Sequence, residues 1–427
     1  MSKGNILTCG YYSLNSALLH LNKLGYNIVK VHTMPNPVID DFAIDESTYD
    51  NEVLMKEYVE LCGDGGSRAL KEKEQHLVSA FGVGGVPFSN NAYFSQIIVG
   101  SVIGAISAIK AAHKFVVDTH KKYKYKAALF HTGEGRHWRA MIETCKMLGI
   151  PTFVCLNGTV TQSVPLYSSH KLYNTADVYY LHGKYDFDWL AKRPGYITND
   201  IVIVGQPSFD LYYEDDKVRT SEVEDVFLYC NAVVCNTFSV DNTKEHIILD
   251  MVEFAFQRRD LPTNLDGIFF LAFSKYQREV NPKAKLWVTL RPYYNLTVQE
   301  MQAYISSLGI TNCEVFAHEI APARNLIPKA KYVIGGTSTL LIEALINRKK
   351  LICLSAHKDG NFSFAKEWSL VASVSNIDNI VENLDKITKD DSDNLIEGCG
   401  KYASYYNYND DGMAGERLAE NLHERIS

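Results

Sequence analysis

The sequence has no long apolar run, no surplus of positive charge, no paired-cysteine framework and no internal repeat, and each absence removes a class of protein. The most apolar helix candidate is Ile97–Ile109, 13 residues with two glycines. A bilayer span takes about 20 apolar residues, so this segment reads as a buried core helix. The opening residues MSKGNILTCGYYS hold no apolar stretch of leader length, and no secretory signal is expected. A formal net charge of −7 argues against a broad surface for nucleic acid or anionic lipid, although a local basic groove stays open. The 9 cysteines are odd in number and irregularly spaced, and Cys155, Cys230 and Cys353 lie in apolar, strand-like runs. That usage suits reduced, buried thiols and predicts a cytoplasmic protein. Cys230 and Cys235 have no matching second pair, which speaks against a zinc site. Without self-similarity at a period of about 20–50 residues, solenoids and propellers are excluded.

What is present is ordinary globular material in quantity. A chain of 427 residues, 46% apolar and 22% charged, is long for a single core, so two domains are expected. Strands and helices alternate from end to end. Asn5–Cys9, Asn27–His32, Ala127–Phe130, Thr152–Leu156, Val178–Leu181 and Ile201–Val204 read as strands. Helices are expected over Leu14–Leu24, Tyr93–His120, Arg136–Leu148 and Tyr185–Lys192, and residues 35–91 read as helical pieces joined by glycine-rich loops. The charged, non-periodic stretch YYEDDKVRTSEVED marks a boundary, after which the alternation restarts, with strands expected at Val226–Cys235, Leu286–Leu290, Cys313–Ala317 and Val371–Val374 and helices at Lys244–Arg258, Val298–Leu308, Arg324–Ile327 and Ile377–Ile387. The resulting division is a first domain over 1–212, a linker over 213–225, a second domain over 226–411 and a polar amphipathic helix over 412–427, with packing back on the first domain open to that helix. The fold class is α/β, with two Rossmann-like domains and a cleft between the carboxyl edges of their sheets.

Lys331–Ser355, KYVIGGTSTLLIEALINRKKLICLS, is the most informative stretch. It reads as strand, small polar turn, helix and strand. Glycines that allow close approach, hydroxyls at Thr337, Ser338 and Thr339 and the free N–H groups of a helix start together suit a phosphate. Glu343, one turn further in, suits ribose hydroxyls. An ordinary capped βαβ turn has the same composition.

Three regions, taken in order, carry a resemblance. The first is KMLGIPTFVCLNGTV (Lys146–Val160) followed by TADVYYLHGKYDFDWLAK (Thr175–Lys192) and IVIVGQPSFD (Ile201–Asp210); the second is LWVTLRPYYN (Leu286–Asn295); the third is Lys331–Ser355. Over about half the chain they resemble glycosyltransferases of the GT-B class, in particular the transferases that build teichoic-acid and capsular polymers and their relatives, the UDP-sugar 2-epimerases. The sequence also departs from them. Asn157 and Tyr293 stand where the glycerophosphotransferases of the class carry histidines, and the acidic and histidine set of the epimerases is not recognisable. What the resemblance implies is nucleotide binding by the second domain and a sugar transfer in which the sugar donor is a nucleotide diphosphate.

Roles follow for particular residues. Arg291, at a strand end, is the expected cation for the diphosphate, unless it pairs with a surface carboxylate. His318 and Ile320 follow the strand where such folds hold the base. Asn236, Thr237 and Ser239 end the second domain's first strand, as phosphate contacts or plain strand caps. In HTGEGRHW, Glu134 is the candidate general base and His131 and His137 are its alternatives, while a helix cap explains Glu134 equally well. Tyr11, Ser13 and Asn15 in the first loop, with Asn157, are candidate acceptor or sugar contacts. No Asp-x-Asp stands at a strand end, so neither metal nor other cofactor is expected beyond the donor itself. The acceptor is left open among a glycan, a lipid-linked glycan and a modified nucleic-acid base. The basic run His120–Lys126 is the strong local patch for the last of these. A nucleotide-sugar epimerase and a non-catalytic nucleotide-sugar-binding protein are the other readings.

Overall fold

The computed structural model describes residues 2–8, 12–32, 51–54, 109–131, 136–156, 176–191, 200–214, 223–230, 264–290, 297–318, 320–335, 339–355, 371–373, 377–389 and 394–427. The chain forms two compact units. Unit one comprises Met1–Asn157, Leu166–Asp210 and Met413–Ser427; unit two comprises Gly158–Pro165 and Leu211–Gly412.

Unit one is built on a parallel sheet. Its elements are β1 (Gly4–Thr8), α1 (Asn15–Lys23), β2 (Tyr26–His32), β3 (Asn51–Leu54), α2 (109–123), β4 (Tyr125–Phe130), α3 (Arg136–Met147), β5 (Thr152–Cys155), β6 (Val178–Leu181), α4 (Lys184–Ala191) and β7 (Asp200–Ile203). The strand order is β3-β2-β1-β4-β5-β6-β7. Every strand of β5 and β6 is buried along its whole length, which is why both read as unbroken apolar runs rather than alternating ones.

Unit two follows the same plan. It contains α5 (Leu211–Glu214), β8 (Glu224–Cys230), α6 (Asn264–Glu279), β9 (Lys285–Thr289), α7 (Val298–Ser307), β10 (Cys313–Phe316), α8 (Ala323–Leu326), β11 (Ala330–Gly335), α9 (Thr339–Ile346), β12 (Lys350–Ser355), β13 (Val371–Ser373), α10 (Ile377–Lys389) and α11 (Asn394–Tyr406). Its order is β10-β9-β8-β11-β12-β13, again all parallel. The expected α/β class with two Rossmann-like sheets is therefore what the chain adopts.

Aromatic packing seats α6 on this sheet. Phe269 stacks on Tyr229 with ring centroids 4.2 Å apart, Phe273 meets Phe227 edge-on at 5.5 Å, and Phe227 stacks on Tyr332 at 4.6 Å. Such pairs contribute about 0.5–1.5 kcal/mol each beyond area burial. The sequence reading has no helix here, nor at α11, nor a strand at β3. In α6 the run FFLAF masks helical periodicity and follows Gly267; α11 carries Gly398 and Gly400; β3 is a four-residue edge strand.

The helix α12 (Ala414–Ile426) belongs to unit one. It packs along α1, burying Leu418, Ala419, Leu422 and Ile426. Its N-cap residue, Met413, makes no side-chain cap. Asp210 supplies the missing acceptor: its carboxylate takes Ala414 N–H at 3.0 Å, Gly415 N–H at 2.7 Å and the Ser16 hydroxyl at 2.7 Å. Burial raises the carboxyl pKa, and the three donors and Arg417 oppose that rise. Arg417 Nε also donates to the Val204 carbonyl at 2.9 Å. At Gly415 the two helices touch backbone to backbone: a Cβ there would lie 2.6 Å from Ala17 N and 2.6 Å from Ser16 C. Gly415→Ala is expected to lower the unfolding free energy of unit one by about 1–3 kcal/mol, the usual cost of overpacking. Thermal unfolding would check this, and an unchanged midpoint would mean that α12 yields freely.

Candidate functional site

In an open parallel sheet, ligands gather outside the carboxyl ends of the strands where the strand order reverses. In unit two that point lies between β8 and β11, with Gly335 in register with Cys230. A Cβ on Gly335 would already touch the Cys230 carbonyl at 3.5 Å and Leu341 Cδ2 at 3.6 Å, so strand end, neighbouring strand and following helix converge closely. The helix that follows is α9. Leu341, Ile342, Ala344, Leu345 and Ile346 hold it on the sheet, and Thr339 and Glu343 remain half-buried. Gly336, Thr337 and Ser338, between β11 and α9, lie outside the described residues.

Glu343 sits one turn inside α9. Tyr212 on α5 donates its hydroxyl to Glu343 Oε2. Tyr212 is fully buried; burial and the neighbouring Glu343 charge raise its pKa, so it stays a protonated donor. Burial raises the pKa of Glu343 too, opposed by the Arg324 guanidinium of α8 and by the Tyr212 hydrogen bond. Cys230, at the end of β8, acts electrostatically on the same phenol. Tyr212 and Glu343 thus meet on the first turns of α9, within the electrostatic reach of Arg324. The sequence reading passes over Tyr212 and Arg324. Tyr212 stands at the head of a charged stretch and reads as boundary, and the signal that could have found it is an aromatic residue just ahead of that stretch.

The turn after β10 is tight. The N–H groups of Ile320 and Ala321 both donate to the Ala317 carbonyl, at 3.1 and 2.9 Å. The Ile320 amide is therefore engaged within the turn. Its side chain is 82% exposed. His318 is half-buried in the same turn. Arg291 follows β9 and lies outside the described residues, as do Asn236, Thr237 and Ser239.

In unit one the order reverses between β1 and β4. Ser13, in the short turn before α1, is fully buried, and its hydroxyl has no hydrogen-bond partner among the described residues. Asn15 opens α1 and is half-buried. His131 follows β4, half-buried with its ring edge-on to Trp138 at 5.4 Å. Burial pushes its pKa down to about 4, so the imidazole is neutral near pH 7. Tyr11, Glu134 and Asn157, and the side chain of His137, lie outside the described residues.

His182 follows β6 and is fully buried. Its Nε2 bonds to the Leu156 carbonyl at the end of β5, and its Nδ1 lies 3.9 Å from Asp186. Burial pushes this imidazole down to about 4 as well.

The basic run Lys121–Lys126 spans the end of α2 and the start of β4. It therefore lies at the amino edge of the sheet, a strand length of about 17 Å from the edge that carries His131. Lys121 faces Asp118 at 3.6 Å, and Lys122 lies over the Tyr123 ring at 4.7 Å. Among the described residues no cluster of three or more His, Cys, Asp or Glu is placed to hold a metal ion, and no helix is long and apolar enough to cross a membrane.

No protein-family model matches this chain, nor does the sequence of any curated protein. Solved structures do match along its full length. A protein of Listeria monocytogenes assigned as a UDP-N-acetylglucosamine 2-epimerase superposes with a TM-score of 0.61 at 11% identity, covering 100% of this chain and 98% of its own. The UDP-GlcNAc 2-epimerase of Neisseria meningitidis, bound to UDP-GlcNAc, gives 0.55 at 13%, covering 99% and 100%. The calicheamicin glycosyltransferase CalG4 gives 0.52 at 13%, covering 100% and 99%. At these identities the likeness is one of fold: two parallel, Rossmann-like sheets, as in proteins of the GT-B class.

Two outcomes follow from this geometry. Replacing Lys121 and Lys122 with alanine is expected to leave the unfolding free energy within about 0.5 kcal/mol of the parent, since both side chains are exposed at the amino edge of the sheet; a larger loss would show that the run helps to hold unit one together. His182 is neutral when folded and has the ordinary pKa of about 6.5 when unfolded, so the unfolded chain binds more protons between these values. Stability is complete above about pH 6.5 and falls as pH drops toward 4, by on the order of 3 kcal/mol from this residue. In acid-unfolding curves, His182→Gln should show a shallower decline over that window.

Proposed function

We propose that this chain is a metal-independent glycosyltransferase that moves a sugar from a nucleotide-diphosphate sugar, in the first instance a UDP-sugar, to an acceptor hydroxyl. The observation that carries the proposal is the site at the end of β8 and β11, where the start of α9 and the Glu343 carboxylate stand at the reversal of strand order. Unit two is assigned the donor. The first N–H groups of α9, the hydroxyls of Thr337, Ser338 and Thr339 and the Arg291 guanidinium neutralise the diphosphate. Glu343 accepts from the ribose hydroxyls, and the turn with His318 and Ile320 borders the base.

Unit one is assigned the acceptor. The acceptor oxygen attacks the anomeric carbon, the bond from that carbon to the diphosphate oxygen breaks, and its electron pair leaves with the nucleoside diphosphate. The acceptor proton goes to Glu134, with His131 as the alternative. An imidazole held at about 4 is a weak base near pH 7, which favours the carboxylate. Tyr11, Ser13, Asn15 and Asn157 are assigned to the sugar or acceptor. The acceptor is a glycan, a lipid-linked glycan or a modified nucleic-acid base; the place of the basic run, at the far edge of its sheet, disfavours the last.

An epimerase acting on the same donor is the second reading. It is supported by the Listeria and Neisseria structures, which share the fold over the whole chain. Incubation with UDP-sugars separates the two: UDP released only when acceptor is added supports transfer, whereas an altered sugar still attached to UDP supports epimerisation. UDP itself is expected to raise the melting temperature, since a ligand of the native state stabilises it. Glu343→Gln should weaken UDP binding by roughly tenfold, the scale of one hydrogen bond to a charged group. Glu134→Gln should reduce turnover while leaving UDP affinity intact. Turnover equal to the parent's would remove Glu134 from the mechanism.

A further inference from the structure

A glutamate on a helix surface has three rotatable bonds, and a carboxylate that must receive two ribose hydroxyls needs a fixed direction. Glu343 is held by an aromatic residue from another element. Tyr212 has no solvent exposure to speak of and only two side-chain torsions, and its hydroxyl is committed to Glu343 Oε2. No other side-chain hydrogen bond to that carboxylate is found among the described residues. The element that carries Tyr212 is itself anchored. On the next residue of α5, the Tyr213 hydroxyl donates to Asp410 Oδ1, and Arg348 pairs with Asp410 Oδ2. Gly412, with φ +74°, passes so close that a Cβ would lie 2.6 Å from Tyr213 Cγ. The start and the end of the Leu211–Gly412 stretch are thus fastened side by side within unit two, and Tyr212 projects from the fastening onto Glu343.

We propose that Tyr212 is the positioning residue of the donor site: its hydroxyl fixes one oxygen of Glu343 so that the remaining lone pairs of the carboxylate face the vicinal diol of a nucleoside diphosphate. The proposal rests on the reading of unit two as the donor site and adds to it the residue that sets recognition of ribose. A carboxylate offers about four acceptor positions; Tyr212 takes one, and the two ribose hydroxyls need two more. Tyr212 touches no reacting atom. It acts through Glu343, so its loss affects the discrimination of the ribose and leaves the recognition of phosphate alone.

The test compares UDP with 2′,3′-dideoxyuridine diphosphate by calorimetry on the full chain. The parent is expected to prefer UDP by at least tenfold. Tyr212→Phe is expected to reduce that preference to less than threefold while affinity for inorganic pyrophosphate stays unchanged. Both nucleotides are read on the same preparation, so partial unfolding lowers both affinities alike and leaves their ratio untouched. Tyr212→His, which keeps a ring N–H donor, serves as the second variant and should retain a ratio above that of Tyr212→Phe. In a double-mutant cycle, Tyr212→Phe added to Glu343→Gln should cost nothing further in the ratio. A full tenfold preference in Tyr212→Phe, or a parent that binds both nucleotides equally, would overturn the role of Tyr212. A parent that binds neither nucleotide would instead overturn the donor site as a whole.

Discussion

Unit one depends on a carboxylate that arrives from outside the helix it serves. The first N–H groups of a helix have no partners within it, and α12 begins at Met413 without a side-chain cap of its own. Asp210 closes that end from 204 residues earlier in the chain. The same carboxylate holds Ser16 on α1, so one buried charge ties together the end of the β7 segment, the first helix and α12. The charge is expensive to bury, and three donors with a nearby arginine offset that cost. With the helix start satisfied, Gly415 can press against the α1 backbone, which the smallest added side chain would prevent.

Both candidate sites are consequences of strand order rather than of any one motif. Each sheet runs outward from a central pair, β1 with β4 and β8 with β11, and at that pair the crossover helices part to opposite faces. In unit two this brings α9 and Glu343 to the edge, and in unit one it brings the Ser13 turn and His131. The two edges differ in character. Unit two offers a carboxylate held by a phenol, with the Arg324 charge acting on it, whereas unit one offers a desolvated imidazole and a buried hydroxyl.

Much of this architecture was legible in the sequence because buried parallel strands advertise themselves. Ala127–Phe130, Thr152–Cys155 and Val178–Leu181 are unbroken apolar runs between turns, and Ile377–Lys389 is plainly amphipathic. The strand–helix–strand order of β11, α9 and β12 was legible too, and with it the place of Glu343 one turn inside α9. What could not be read were arrangements that depend on distant partners. Phe269 and Phe270 look the same whether they lie in a strand or in a helix stacked on Tyr229, because only the facing ring decides. The Tyr212 contact with Glu343 spans 131 residues, and no local pattern announces it. The basic run His120–Lys126 was legible as a patch, but its distance from the site follows from the direction of β4, which composition does not carry.

The membership of α12 in unit one has a consequence for the order of events during synthesis. At about 5–20 residues per second, the 204 residues that separate Asp210 from its partners take on the order of 10–40 s to appear. Throughout that interval unit two can complete its own sheet, while the face of α1 that will receive Leu418 and Leu422 stands uncovered on the nascent chain. Unit one, begun first, is thus finished second, and the uncovered α1 face is where a chaperone would find this chain before α12 does.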